Sequence, residues 1–326
     1  MTTRGQGKRR SLGWLALAAG LALAIGVGDA RGAFPGANGR VAFGVEKWRL
    51  PDPCLPMPHG CDPEVFSSSI ETVLPSGRGR RVLRAFPVEQ AVGESGPVWS
   101  PSGRLLTFQQ SSRLAIIRAD GTGLRHLPQL TNSDGEPAWS PDGRRLAFVG
   151  RRLCCNWLYT VRRDGTALRR VTAQEVRWPA WSTTGTIAFV NYNDRGGSSV
   201  GLMDGTYTIR PDGSRLRRLF GRYWGTGQQP DWSPDASRIA FVARQHIFTM
   251  GADGRRLRRL TDNFGDSDPA WSSDGKYIAF IRDYDLYIMR ANGRGQRRVV
   301  DGPDRELDHS GPWAEVNAPT WQPLPR

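Results

Sequence analysis

Apolar and polar residues alternate along most of this chain in runs of four to six residues, and the runs recur in a fixed order. One phrase, Pro-x-Trp-Ser, places tryptophan at 99, 139, 181, 232 and 271, and an altered copy, "APTWQP", places it at 321. A second phrase is an aliphatic residue, a small one and Phe. It ends at Phe108, Phe148, Phe189, Phe241 and Phe280, nine residues after the tryptophan in four copies and eight in the other. Phe43, in "NGRVAF", has no tryptophan before it. A third phrase alternates: "SIETVL" 69–74, "LAIIRA" 114–119, "WLYTVR" 157–162, "TYTIR" 206–210, "HIFTM" 246–250 and "LYIMR" 286–290. The fourth is basic and aliphatic, from "RRVLR" 80–84 through "LRRVT" 168–172 to "QRRVV" 296–300. A period of two over such lengths predicts half-buried strands, not helices.

Between the third and fourth phrases stand Asp120-Gly121, Asp164-Gly165, Asp212-Gly213, Asp253-Gly254 and Asn292-Gly293, and Asp142-Gly143 and Asp274-Gly275 separate the first from the second. These pairs predict tight hairpins with primed turns, because such turns need positive φ. Each repeat is then a four-stranded antiparallel meander, A-B-C-D, and each strand type occurs six times. The series starts on a B strand at Val41–Phe43 and finishes on an A strand around Trp321, so the last strand is needed to complete the first sheet. A linear array has no use for that permutation, whereas a closed ring does. The expected fold class is all-β: a six-bladed β-propeller of four-stranded antiparallel blades, closed by the C-terminal strand pairing into blade one. The small residues Ala147, Ala188, Ala240 and Ala279 suit close packing of sheets, and each A-strand tryptophan and the proline two residues before it are expected to wedge between blades. The arginine pairs fall on the outer D strands, where charge discourages edge-to-edge association.

The first thirty residues break this pattern. Arg4, Lys8, Arg9 and Arg10 precede an uncharged, largely apolar run from Leu12 to Gly28, and small residues at Gly28 and Ala30 follow. This reads as a secretory signal peptide over 1–30, with an uncleaved anchor as the alternative. The propeller is assigned to 34–326, outside the cytoplasm, as a monomer that meets a membrane only through an uncleaved signal. Loss of the signal lowers the net charge from +14 to +11, and only Lys8, Lys47 and Lys276 are lysines. The arginines recur in every repeat, so the charge is spread around the rim rather than gathered into a patch, and it reads as solvated edge protection. With no base-reading module present, nucleic acid is not an expected partner.

The string "PAWSPDGRRLAF…LYTVRRDGTALRRVT" resembles the WD40-like repeat of the TolB-type propellers, over roughly residues 35–326. The resemblance implies the propeller fold and says little about activity, since propellers host many functions. TolB-type proteins carry an α/β domain before the propeller, and the few residues between the expected cleavage site and the first blade leave no room for one here. Peptidases with similar blades add a hydrolase domain, which is not expected either.

In a propeller the A–B and C–D hairpins share one face and the B–C and D–A connections share the other. The irregular connections, 44–68, 85–96, 190–205, 220–229, 261–268 and 301–318, all belong to the second face, and irregular loops on a rigid scaffold are the usual seat of recognition. Of five tryptophans outside the repeat, Trp48, Trp178, Trp224 and Trp313 are expected in B–C or D–A connections, and Trp157 begins a C strand directly after one. Tyr192, Asn193, Tyr223 and Trp224, with Asn191 nearby, form the expected ligand patch, bordered by Trp313 and by Asp304, Asp308 and His309 of the acidic loop. Aromatic rings among polar neighbours suit a protein, peptide or glycan ligand. Cys54 and Cys61 bracket a Pro-rich loop and Cys154 and Cys155 adjoin; in an exported chain these are disulfide candidates, with Cys54–Cys61 the favoured pair and a vicinal bridge, free thiols or cross-loop pairing open for the other two. Cys54, His59 and Cys61 lack a fourth ligand and a standard zinc spacing. The carboxylates at 301–308 lack the EF-hand pattern. "GSSVG" at 197–201 lacks the strand–turn–helix setting of a nucleophile. No catalytic residue, metal or cofactor is therefore assigned. The expected function is a non-enzymatic binding scaffold of the cell envelope, with a loop-face hydrolase or lyase and a purely structural envelope protein as alternatives.

Overall fold

The computed structural model describes residues 33–49, 64–87, 96–152, 155–191, 204–221, 228–302 and 313–325. Blade one contains β1 (Ala37–Arg49), β2 (Glu64–Val73) and β3 (Arg81–Pro87); blade two contains β4 (Val98–Trp99), β5 (Leu105–Gln110), β6 (Arg113–Arg118) and β7 (Arg125–His126). Blade three is β8 (Ser133–Trp139), β9 (Arg145–Arg152), β10 (Cys155–Arg162) and β11 (Arg169–Arg170), and blade four is β12 (Arg177–Trp181), β13 (Ile187–Asn191), β14 (Gly205–Ile209) and β15 (Arg217–Phe220). Blade five is β16 (Gln228–Trp232), β17 (Arg238–Ala243), β18 (His246–Gly251) and β19 (Arg258–Arg259), and blade six is β20 (Ser267–Trp271), β21 (Tyr277–Arg282), β22 (Asp285–Arg290) and β23 (Arg297–Val300). The last strand, β24 (Trp313–Leu324), returns to β1, so the first sheet runs β24-β1-β2-β3 while the other five follow chain order. All these sheets are antiparallel, and among the described residues there is no helix. The six-bladed, C-terminally latched propeller read from the repeat is thus the observed fold.

The repeated aromatic residues form the seams between blades. Trp181, Phe189 and Tyr207 of blade four pack on Ala138, Ala147 and Leu158 of blade three. Trp232 and Phe241 pack on Ala180 and Ala188 in the next seam. The alanines leave room for the indole ring of the following blade. The closing seam has the same composition: Phe43 and Trp321 of blade one lie against Ala270 and Ala279 of blade six. The ring therefore closes with the contacts it uses elsewhere. Trp321 Nε1 donates to the carbonyl of Ala270 at 3.1 Å, and the amide of Asp274 donates to Asn38 Oδ1 at 3.0 Å across the same seam.

The Asp-Gly pairs turn differently from the sequence expectation. In Asp164-Gly165 the glycine alone has positive φ, 89°, and its amide closes a turn onto Arg162 at 2.8 Å. Asp164 instead accepts from the amide and hydroxyl of Thr166 at 2.9 and 2.7 Å. Two-residue turns with positive φ at both positions do occur, but at Ser111-Ser112, Arg244-Gln245 and Asp283-Tyr284, none of which carries the usual Asn-Gly signature. The glycine serves the seam as well: a Cβ on Gly121 would lie 2.4 Å from the carbonyl oxygen of Leu83 in blade one, and one on Gly293 2.7 Å from that of Leu260 in blade five.

In five of the six blades a D-strand arginine also departs from its expected role. Arg169 donates to the Asp212 carbonyl at 2.9 Å, Arg217 to Asp253 at 3.0 Å and Arg258 to Asn292 at 3.1 Å, each reaching the C–D turn of the next blade. Arg125 reaches Arg163 in the same way, and Arg297 of blade six reaches Pro75 of blade one. These arginines tie neighbouring blades together. Edge protection falls to the shortness of the D strands, since β7, β11 and β19 are two residues each.

Candidate binding face

Hydrogen bonds within each repeat fix which connections share a face. The amides of Ala119, Arg163, Ala252 and Ala291, in C–D turns, donate to the carbonyls of Arg104, Arg144, Ser237 and Lys276 in the A–B turns of their own blades. On the opposite face, the amide of Asp134, at the start of β8, donates to Ser112 and that of Asp266, just before β20, to Gln245, joining the starts of A strands to B–C turns. The first face is nearly uniform. Ser140, Ser233 and Ser272 donate to Asp142, Asp235 and Asp274 at 2.6, 2.6 and 2.7 Å, so the repeated Trp-Ser-x-Asp phrase is a turn clasp. The hydrogen bonds these aspartates accept hold their carboxyls below the usual range despite partial burial.

Irregularity belongs to the other face. Blade one rises on it as a ribbon: β1, β2 and β24 extend well into the connections expected at 44–68 and 301–318. Trp313, expected in a loop, is a strand residue that pairs with Trp48, and Glu315 pairs with Glu46. A sequence reading places these residues in loops because no repeat phrase extends that far. The pairing comes only from the returning strand.

Two other expectations change. Trp178 is not on a connection but within β12, where it is buried with Trp232 and Phe241. Asn191 ends β13 and is buried, its amide donating to the Glu175 carbonyl at 2.6 Å, so it pins the D–A connection. Trp157 does open a C strand, β10, and Arg170 lies 4.8 Å over its ring. Of the remaining expected residues, Tyr192, Asn193, Tyr223, Trp224, Asp304, Asp308 and His309 lie outside the described residues, as do Cys54, Cys61 and Cys154; Cys155 opens β10.

The described part of this face adds an anchor that the repeat gave no reason to select. Phe264, in the connection from blade five to blade six, is 73% exposed, and its ring centroid stands 5.0 Å from that of His246. His246 is buried and bonds to the Asn263 carbonyl at 2.8 Å, which fixes the loop beneath the phenyl ring. A buried ion pair supports the same region: Arg282 donates Nε and Nη2 to the two oxygens of Asp266 at 2.6 and 2.9 Å. Those bonds hold the guanidinium pKa above its ordinary value. A lone apolar residue at 264 among polar neighbours was the only sequence signal available.

The A strands line the axis, and in five of the six the ladder breaks one residue before the proline. Glu136, Trp178, Gln229, Asp268 and Ala318 all sit at φ 49–52°, with register shifts beside them. Proline lacks the N–H that a regular ladder requires, so it occupies a bulge. The bulge residues bond between blades. Glu136 accepts from the Trp178 amide, and Gln229 exchanges two bonds with Asp268 at 3.0 and 3.1 Å. Burial raises the Glu136 carboxyl above the ordinary range, with Arg177 acting in the opposite direction. At the uniform face, Ala33 donates to Trp232 and Gly36 to Ser273, and Phe34 is buried against Val98 and Trp139, so the N-terminal segment crosses that end of the axis. Among the described residues, no group of three or more His, Cys, Asp or Glu is gathered as metal ligands.

This architecture defines a six-bladed β-propeller. No protein-family model and no curated protein matches the chain. Solved structures do. TolB from Acinetobacter baumannii is similar with a TM-score of 0.65 and 18% identity, over 90% of this chain and 68% of that one. A putative TolB from Agrobacterium tumefaciens is similar with a TM-score of 0.62 and 19% identity, over 88% and 100%. A propeller in a nidogen/laminin complex gives 0.62 at 11% identity, over 87% and 100%. At these identities the likeness is one of fold.

Proposed function

We propose that this protein is an exported, non-enzymatic binding scaffold of the cell envelope that captures a protein, peptide or glycan ligand on its irregular face. One observation carries the reading: one face repeats the same clasped turn, while the other departs from the repeat and exposes an aromatic anchor, Phe264. Rigid blades below variable connections place recognition where the scaffold has least need of sequence. Similarity to TolB propellers and to a propeller from a complex of two proteins supports a protein partner, and the charged and apolar start of the chain supports export. Tyr192, Asn193, Tyr223 and Trp224 remain the proposed patch, with Phe264 added on the side of blades five and six.

The test is capture of partners from envelope extracts by the immobilised protein. Replacing Tyr223 and Trp224 together by Ala should abolish capture while leaving the melting temperature unchanged. Undiminished capture, or a large fall in stability, would return those residues to the frame.

A further inference from the structure

The face that carries the repeated clasps is also the most basic part of the molecule. Along the chain the arginines are spread evenly through the repeats, but the fold brings many of them to one end of the ring. The C–D turns and the D-strand starts that follow them, at 162–169, 210–217, 251–258 and 290–297, each contain three arginines and at most one aspartate, and all of those arginines are exposed. The A–B turns beside them add Arg104, Arg144 and Lys276. The bonds from Arg169 to Asp212, Arg217 to Asp253 and Arg258 to Asn292 join these segments into one continuous band. The aspartates within it turn back on their own loops, Asp164 onto the Thr166 hydroxyl at 2.7 Å and Asp212 onto that of Ser214 at 2.6 Å. Other carboxylates stand at the opposite end: Glu46 and Glu315 on the ribbon of blade one, Asp134 and Asp266 at the approach to A strands, and Asp283 in a B–C turn. The propeller is therefore polarised along its axis.

Exposed apolar side chains follow the same division. Leu168, Leu216 and Leu257 hold the same place in blades three, four and five, one residue before the clamping arginine, and are 37%, 44% and 39% exposed. Leu74, Tyr277 and Leu324 are exposed at the same end of blades one and six. Among the described residues, only Val82, on the edge strand β3, and Phe264 are large, apolar and exposed elsewhere. Leucines set among arginines are the composition of a surface that lies in lipid headgroups. The N-terminal segment enters at this face too. Ala33 and Gly36 donate to the carbonyls of Trp232 and Ser273, and Phe34 is buried against Val98 and Trp139, so what precedes Ala33 joins the propeller where the axis meets the basic face. The uncharged apolar run of 12–28 lies only a few residues earlier in the sequence.

We propose that the uniform face docks flat on an anionic phospholipid surface, with the arginines of blades three to six on headgroup phosphates and Leu168, Leu216 and Leu257 at the boundary with the acyl chains. Guanidinium groups bind phosphate oxygens bidentately. The arginines belong to separate blades around a ring, so they do not converge on one small anion. A single polymer strand would cross only some of the blades, whereas a planar bilayer meets all of them together. Attraction to such a surface falls off within a Debye length, about 8 Å at physiological salt, so charges carried by turns at one end of every blade are used best by a flat partner. Docked in this way, the propeller holds its irregular face away from the membrane. The docking does not rest on the ligand proposed for that face.

The purified full-length protein is sedimented with sucrose-loaded vesicles of phosphatidylcholine, with and without phosphatidylglycerol, over a range of salt. Binding should be tighter to the vesicles that contain phosphatidylglycerol and should weaken as salt is raised. Replacing Arg163, Arg210, Arg255 and Arg294 together by Gln takes four charges from the face and leaves the clamping arginines in place. This variant should keep the wild-type melting temperature and lose about 100-fold or more in binding to the anionic vesicles. Replacing Leu168, Leu216 and Leu257 together by Ser should weaken binding by about 10-fold or more. Equal binding with and without phosphatidylglycerol, or undiminished binding of the arginine variant, would assign membrane contact to residues before Ala33 and overturn the docking face. Binding of long-chain polyphosphate in solution, with none to either kind of vesicle, would give the face to a polymer and overturn it as well.

Discussion

Single residues in this ring are judged by what their neighbours leave them. Burial first, and the Glu315 charge second, push the Glu46 carboxyl from its ordinary 4.5 up to about 7. Since the folded chain holds that proton more tightly than the unfolded one, the folded state bears no penalty below about pH 4.5. The penalty develops as pH rises towards 7 and is complete above it. Glu46→Gln should therefore stabilise the protein at pH 8, on the order of 2–3 kcal/mol, and change little at pH 4. Urea denaturation at the two pH values measures this, and a pH-independent effect would contradict it. The turn aspartates behave oppositely. Asp120, Asp164 and Asp212 are held low by the threonine and serine groups two residues on, and they stay charged through the same range.

Among elements, the D strands carry the least expected role. A two-residue edge strand such as β11 contributes little pairing, yet its Arg169 spans the seam to the next blade. A planar guanidinium reaches a carbonyl with a directed N–H that a lysine ammonium matches poorly. Replacing Arg169 by Ala is expected to cost about 0.5–1.5 kcal/mol, with Lys recovering only part of it, and replacing Arg169, Arg217 and Arg258 together should cost roughly the sum because they lie in separate seams. Equilibrium denaturation checks this. If the triple variant matched the wild type, the arginines would be solvated edge charges after all.

The whole molecule depends on one late contact. Deleting residues 317–326 removes Trp321 and most of the strand that completes blade one, and it exposes β1 and the apolar seam with blade six. Loss of a buried tryptophan alone costs about 3–5 kcal/mol, against a total stability of about 5–15 kcal/mol for a typical domain. The truncated chain should melt at much lower temperature, with a broad transition in calorimetry, and associate through its open edge. A cooperative transition at the wild-type temperature would show that closure is dispensable.

The sequence by itself determined the strand order, the number of blades, the latch and the identity of the seam residues. Each rests on a local signal repeated six times, whether alternation, a turn or an aromatic phrase. It also separated the uniform face from the irregular one. What it misjudged depends on chain segments distant in sequence. The primed turns fell on Ser111-Ser112 and Asp283-Tyr284 because sheet twist sets φ there in place of residue preference. The arginines became clamps because the next blade places a carbonyl within reach. Trp313 became a strand residue, and Glu46 met Glu315, because β24 pairs with a strand some 270 residues away, a juxtaposition that no local pattern encodes. The same holds for Phe264, which only the packing of His246 beneath it marks out from other loop residues. Periodicity is a property of neighbours along the chain, whereas a site is a property of neighbours in space, and in a closed ring the two coincide least where the chain's ends meet.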